Sequence, residues 1–167
     1  MTEAGMFWVL IGCLLVTAIL VVVMWKPVAN RLRNRTFQRA IDSFPIHREL
    51  LEAKFFDLAS SAGKPRGLRW LDIEWLEHVR FAYDKELKLI TAFAAVYLRF
   101  EAIEGGDMED VSAVGDTREA SAIFHYQNGT WGTGGRALFN MHPDDAVTRL
   151  QGQYLPISSR GPDPVKS

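Results

Sequence analysis

The chain is poor in the residues on which whole classes of chemistry depend. Its 167 residues include one cysteine, Cys13, so an intrachain disulfide framework and a cysteine-based zinc site are both excluded. Histidine is scarce too, at four residues. Neither sign of charge is in excess, since Lys+Arg 19 against Asp+Glu 20 leaves a net charge of -1, and that balance argues against a dedicated nucleic-acid binder. The chain has no Gly-x-Ser-x-Gly, no Gly-Lys-Ser/Thr and no recurring period of about twenty to fifty residues. The serine-hydrolase elbow, the phosphate loop and repeat architectures therefore drop out. A hydrophobic content of 48% is too high for a wholly disordered chain, and the length allows one folded unit with an appendage.

What is present is unevenly spread. Residues 6–25, MFWVLIGCLLVTAILVVVMW, carry no charge; as a helix rising ~1.5 Å per residue they would span ~30 Å, the thickness of a bilayer's hydrocarbon core. A transmembrane helix is the expectation. Trp8 and Trp25 stand near its two ends, where their amphipathic rings suit the headgroup level. Residues 1–5 contain no basic side chain and the run ends in Met24-Trp25-Lys26 rather than in a small-residue cleavage site, so a retained span is preferred to a signal peptide. Lys26, Arg31, Arg33, Arg35 and Arg39 follow it. By the positive-inside rule, residues 1–5 are predicted outside and the rest in the cytoplasm, single-pass in a cell (inner) membrane. The bilayer is thus one expected partner. Residues 26–43 form a basic juxtamembrane segment in which Phe37, Ala40 and Ile41, continued by Phe44, recur at helical spacing; it either sets topology or also lies along an anionic leaflet.

Residues 44–155 read as an α+β domain. Ile46, Leu50, Leu51, Phe55, Leu58 and Ala62 recur every three or four positions, with Ser43 placed to cap the helix, Pro45 in its first turn, and Gly63 and Pro65 to end it. The period then becomes two. Leu71, Ile73, Trp75, Val79, Phe81 and Tyr83 alternate with Asp72, Glu74, His78 and Arg80, so a strand with one greasy and one wet face is expected over 69–83. Leu87 to Phe100 is apolar on both faces and reads as a central strand. Ala120, Ala122, Phe124 and Tyr126 lead to Asn128-Gly129, the strongest hairpin signal in the chain, and Thr130–Phe139 returns. A short helix follows, with Pro143 in its first turn, Asp144 and Asp145 at its positive end, and His142 as its cap. Residues 156–167 are expected to be a disordered tail. The whole is a helix packed on a four-stranded antiparallel sheet behind a membrane helix.

That element order over 44–151 resembles the cystatin-like and NTF2-like architecture, in which a helix is wrapped by a curved meander. The resemblance implies a fold that hosts both enzymes and scaffolds, so no function comes with it. A second block, RFEAIEGGDMEDV at Arg99–Val111, is similar to one in uncharacterised single-span bacterial membrane proteins and implies a bacterial inner membrane.

No constellation satisfies the spacing of a catalytic site, and neither a metal nor a cofactor is expected. Glu101, Glu104, Asp107, Glu109, Asp110 and Asp116 crowd one loop, but Gly105 and Gly106 precede the acidic run instead of standing sixth within it as a calcium loop requires; a docking surface for a basic partner is the functional alternative to a solvated loop. His78 shares strand parity with Asp72 and Glu74, yet residues four and six apart on a strand are separated by ~13 and ~20 Å. The stretch GTWGTGGRA at Gly129–Ala137 is read as a glycine-bulged hairpin in which Trp131 and Arg136 could contact an anion or peptide.

The function these residues imply is a non-enzymatic adaptor or scaffold tethered at the cytoplasmic face of a membrane, with a protein partner and an oligomeric state that the sequence does not specify. The alternative is a small-ligand receptor or enzyme with a pocket between helix and sheet, lined by Phe55, Trp75, Phe93 and Tyr97, with His78 or His125 as its polar group.

Overall fold

The computed structural model describes residues 3–62, 67–158 and 161–162. Its elements are helix α1 (Glu3–Ala62), strands β1 (Leu68–Asp84) and β2 (Leu89–Ala102), a 3-10 turn at Ser112–Gly115, strands β3 (Arg118–Gln127) and β4 (Thr130–Phe139), helix α2 (Pro143–Arg149), strand β5 (Tyr154–Ser158) and the two-residue β6 (Gly161–Pro162). The strands form an antiparallel sheet of order β4-β3-β2-β1-β5-β6. The chain divides into two compact units, Met1–Phe37 and Gln38–Ser167.

The first unit is the amino-terminal part of α1. Among the described residues no helix is long and apolar enough to cross a membrane, and this overturns the expected spanning helix at 6–25 and the single-pass assignment built on it. Within that run the described side chains are those of Gly12–Thr17, Ile19, Leu20 and Trp25. The side chains of Trp8, Lys26 and Arg33 lie outside the described ones; those of Trp25, Arg31, Arg35 and Arg39 are exposed.

The second unit is built on the sheet. From α1, Phe44, Leu51, Phe55 and Ala59 face Ala92, Ala94, Val96, Leu98 and Phe100 of β2 and Ala120, Ala122 and Phe124 of β3. The alanine rows on the sheet leave room for the helix's aromatic rings, each of which contributes roughly 2–3 kcal/mol on burial. The opposite sheet face, with Ala82, Phe93 and Ile123, is covered by Ala146 and Val147 of α2 and by Tyr154. β2 is therefore buried on both sides, which explains its nearly unbroken apolar run.

Several sequence expectations change. The helix expected to start at Pro45 has no start there: α1 passes through Pro45, although proline gives no N–H to the carbonyl one turn back. Tertiary contacts hold that turn. The Trp131 Nε1–H donates to the Ala40 carbonyl at 2.9 Å and to Ser43 Oγ at 3.2 Å, and Ser43 donates to the Ala40 carbonyl at 3.0 Å instead of capping a helix. Phe44 meets Trp131, Phe81 and Phe124 with ring centroids 4.9, 5.6 and 5.6 Å apart. Ile46 and Leu50, read as core residues, are 79% and 71% exposed. Gly63 and Pro65 lie outside the described residues.

The four-stranded sheet is corrected as well, because β5 pairs with β1 through Ala82↔Pro156, Tyr83↔Leu155 and Asp84↔Tyr154. This carries ordered chain past residue 155, where the tail was expected to begin; residues 159–160 and 163–167 lie outside the described ones. The alternation read in β1 is interrupted by register shifts between Trp70 and Asp72 and between Trp75 and Val79. A bulge puts extra residues opposite fewer partners. Trp70 thus packs against the core beside Ile73, while Leu71 is 51% exposed.

Candidate functional site

Two places on the second unit combine chemistry with access, and both are consequences of β1. The first is its outer edge. β5 pairs only with Ala82–Asp84, so among the described residues the edge of β1 from Leu68 to Phe81 has no neighbouring strand. Alongside it an open groove of about 440 Å³ runs between α1 and β1. Its lining combines apolar Ala53, Phe56, Leu71, Ile73 and Trp75 with acidic Glu49, Glu52, Asp57 and Asp72.

Two of those carboxylates are already engaged. Arg48 Nε meets Glu52 at 2.6 Å, and Arg99 meets Asp72 at 2.5 Å across the β1–β2 pair. The Arg99 hydrogen bond, opposed by some desolvation and aided by the guanidinium charge, holds the Asp72 carboxyl below its usual range. Glu49 and Asp57 are exposed and make no ion pair among the described residues. The Arg48 guanidinium also donates to the Leu76 carbonyl at 2.6 Å, which fixes the second β1 bulge to the helix.

The second place is that bulge. Residues 76–78 fall between the paired positions Trp75 and Val79, so His78 is turned out of the regular ladder. It meets residues brought back by the chain after β4. His78 Nε2 lies 2.8 Å from Asp144 Oδ2, His142 Nδ1 lies 3.5 Å from the same oxygen, and the two imidazoles stack with centroids 4.7 Å apart. Arg80 Nε holds the other carboxylate oxygen at 2.7 Å. His142 occupies the N-cap position of α2 without making the side-chain capping bond expected of it. The ligand atoms of His78, His142 and Asp144 all lie within 4.8 Å of one another.

No protein-family model, curated protein or solved structure matches the chain. No family evidence thus supports the cystatin-like and NTF2-like attribution, and nothing bears on the resemblance of Arg99–Val111.

The pocket expected between helix and sheet is not assembled. Phe55 and Trp75 are packed edge to face at 5.5 Å on the helix side of the sheet, Phe93 is buried on the α2 side against Tyr154, and Tyr97 is exposed. His125 is half-buried beside Thr91, 3.3 Å from its hydroxyl. Burial pushes the imidazole below its ordinary pKa, Asp84 works against that shift, and Arg136 adds to it. Of the six residues only Trp75 lines the groove.

The expected partner surface is similarly dispersed. Glu101 pairs with Arg69 at 2.6 Å, and Glu109 accepts the Gly105 N–H at 2.8 Å. Glu104, Asp107 and Asp110 are exposed on the loop, and Arg136 is exposed on β4. Trp131 is half-buried and packs against α1.

Sequence reasoning missed both places. Glu49, Glu52 and Asp57 stand outside the apolar period of the helix, and only the fold sets them beside β1. Asp144 stands 66 positions after His78. Asp144 and its neighbour Asp145 had a sufficient local explanation in the α2 dipole.

Proposed function

We propose that the chain is a non-enzymatic adaptor at a membrane surface, and that its second unit binds an extended segment of a partner carrying lysine or arginine between apolar residues. The observation that supports this reading is the coincidence of an unpaired β1 edge with a groove lined by both apolar and acidic side chains. An added strand would take its main-chain hydrogen bonds from β1, place alternate side chains on Trp75, Ile73 and Phe56, and set its cations beside Glu49 and Asp57. Strand addition suits the groove better than enclosure of a small molecule does, because the groove is open along its length. The groove does exceed the ~300 Å³ from which ligand pockets start, so a small cationic ligand is the second reading.

A peptide alternating lysine with valine tests it, with a glutamate–valine peptide as control, titrated by tryptophan fluorescence. Binding of the basic peptide alone, weakened about tenfold or more in E49K/D57K, is expected from the loss of two acidic charges. Equal binding of both peptides, or none, removes the reading.

The lipid part of the proposal rests on the first unit. Leu14 and Trp25 are 71% and 72% exposed, and Leu15, Val16, Ile19 and Leu20 are exposed between them. So much uncovered apolar side chain calls for a partner. The one hydroxyl among these residues, on Thr17, donates to the carbonyls of Cys13 and Leu14 at 3.0 and 2.9 Å, so it brings no unpaired donor into an apolar phase. Exposed Arg31 and Arg35 favour an anionic leaflet, at about 1 kcal/mol each. The full chain is expected to float with anionic vesicles, and replacement of Leu14, Leu15, Ile19 and Leu20 by serine to leave it at the bottom of the gradient. Flotation that survives the substitutions rejects the assignment to these residues.

A further inference from the structure

We propose that His78, His142 and Asp144 form a binding site for one divalent transition-metal ion, with Zn²⁺ as the natural occupant. Nothing in the docking proposal depends on this cluster, which lies on the bulge and α2 and shares no residue with the groove.

The geometry carries the assignment. A tetrahedral Zn²⁺ with bonds of ~2.0–2.1 Å sets its ligand atoms about 3.3 Å apart. Here the two imidazole nitrogens stand 2.8 and 3.5 Å from one carboxylate oxygen, on either side of that spacing. One ion would replace the present hydrogen bonds once the stacked imidazoles turn so that both ring nitrogens point at it, a movement open to half-exposed side chains. Two imidazoles and a carboxylate are a donor set that suits Zn²⁺, leaving a fourth position for water.

The surroundings fit a ligand role. Arg80 Nε at 2.7 Å occupies the other Asp144 oxygen and turns Oδ2 towards the two imidazoles, as outer-shell partners of metal ligands do. His78 is presented by a bulge whose Leu76 carbonyl is tied to α1 by Arg48. His142 is fixed at the N-cap of α2, one residue before the buried Pro143. Both imidazoles are thus mounted on anchored backbone, and neither performs the capping or core-packing task that would account for it. The guanidinium also cancels the carboxylate charge, so affinity in the micromolar range is expected, not the much tighter binding of a closed structural zinc. An ion here would staple β1 to the segment entering α2.

The test uses the full chain, stripped with a chelator, in mild detergent. Calorimetry with Zn²⁺ should show one equivalent bound, and Co²⁺ should give the intense visible bands of a low-coordinate site. H78A, H142Q and D144N should each weaken binding by about tenfold or more and abolish the visible bands. H47A, which changes a histidine on α1 away from the cluster, should bind as the unmodified chain does. Because H142Q and D144N preserve side-chain size, circular dichroism of the metal-free variants separates lost ligation from lost folding. Affinity unchanged in either of these folded variants, or no saturable binding at millimolar Zn²⁺, overturns the site.

Discussion

Single atoms decide how closely α1 and β4 can approach. Gly135 adopts φ +69, and a Cβ placed on it would lie 2.6 Å from the Ala59 backbone nitrogen and 2.8 Å from two Leu58 atoms. Backbone strain and steric overlap act together there, so Gly135→Ala should cost about 2–4 kcal/mol, measured as a lowered denaturation midpoint at unchanged slope. Gly129, in the β3–β4 turn, also has positive φ but has open space around it. His125 makes a different prediction. Since burial depresses its folded-state pKa, the unfolded chain binds the proton more tightly. The stability that its neutral ring contributes is complete above the unfolded value of about 6.5 and is lost as pH falls below it towards the folded value. His125→Gln should flatten the stability profile on the acid side of that value in a urea series at stepped pH. An undiminished slope would place the titration elsewhere.

At the scale of elements, the sequence carried strong local signals and missed the places where tertiary contacts prevail. The β3–β4 hairpin was legible because Asn128 and Gly129 can both take positive φ, and they do, at 52° and 85°. β2 was legible because a strand buried on both faces has to be apolar on both. The course of α1 through Pro45 was not, since a proline after Ser43 and Phe44 reads locally as a start, and only the Trp131 indole, 88 and 91 positions away, holds the turn. The β1 bulges were equally hidden: an alternating pattern cannot announce where it gains a residue. β5 escaped notice because five residues containing a proline, paired with only three residues of β1, make a weak strand signal. The candidate sites fell where these misreadings overlap, on the bulged strand and its open edge. The residues were visible one by one. Their company was not.

For the whole molecule, the two units present different surfaces. The first exposes apolar and basic side chains, and the second exposes a groove lined by apolar and acidic ones. In the proposed reading the first would meet a lipid surface and the second a cationic segment of another protein. The predicted pocket of an enzyme is not assembled, and each carboxylate or imidazole singled out in the sequence for proton transfer has a structural partner or faces solvent. The central claim is that the uncovered edge of β1 accepts a strand. Amide hydrogen exchange of the full chain, with and without saturating lysine–valine peptide, tests it most directly. The account predicts slowed exchange confined to the outward N–H groups of Arg69–Leu76; unchanged exchange there in the presence of bound peptide would contradict it.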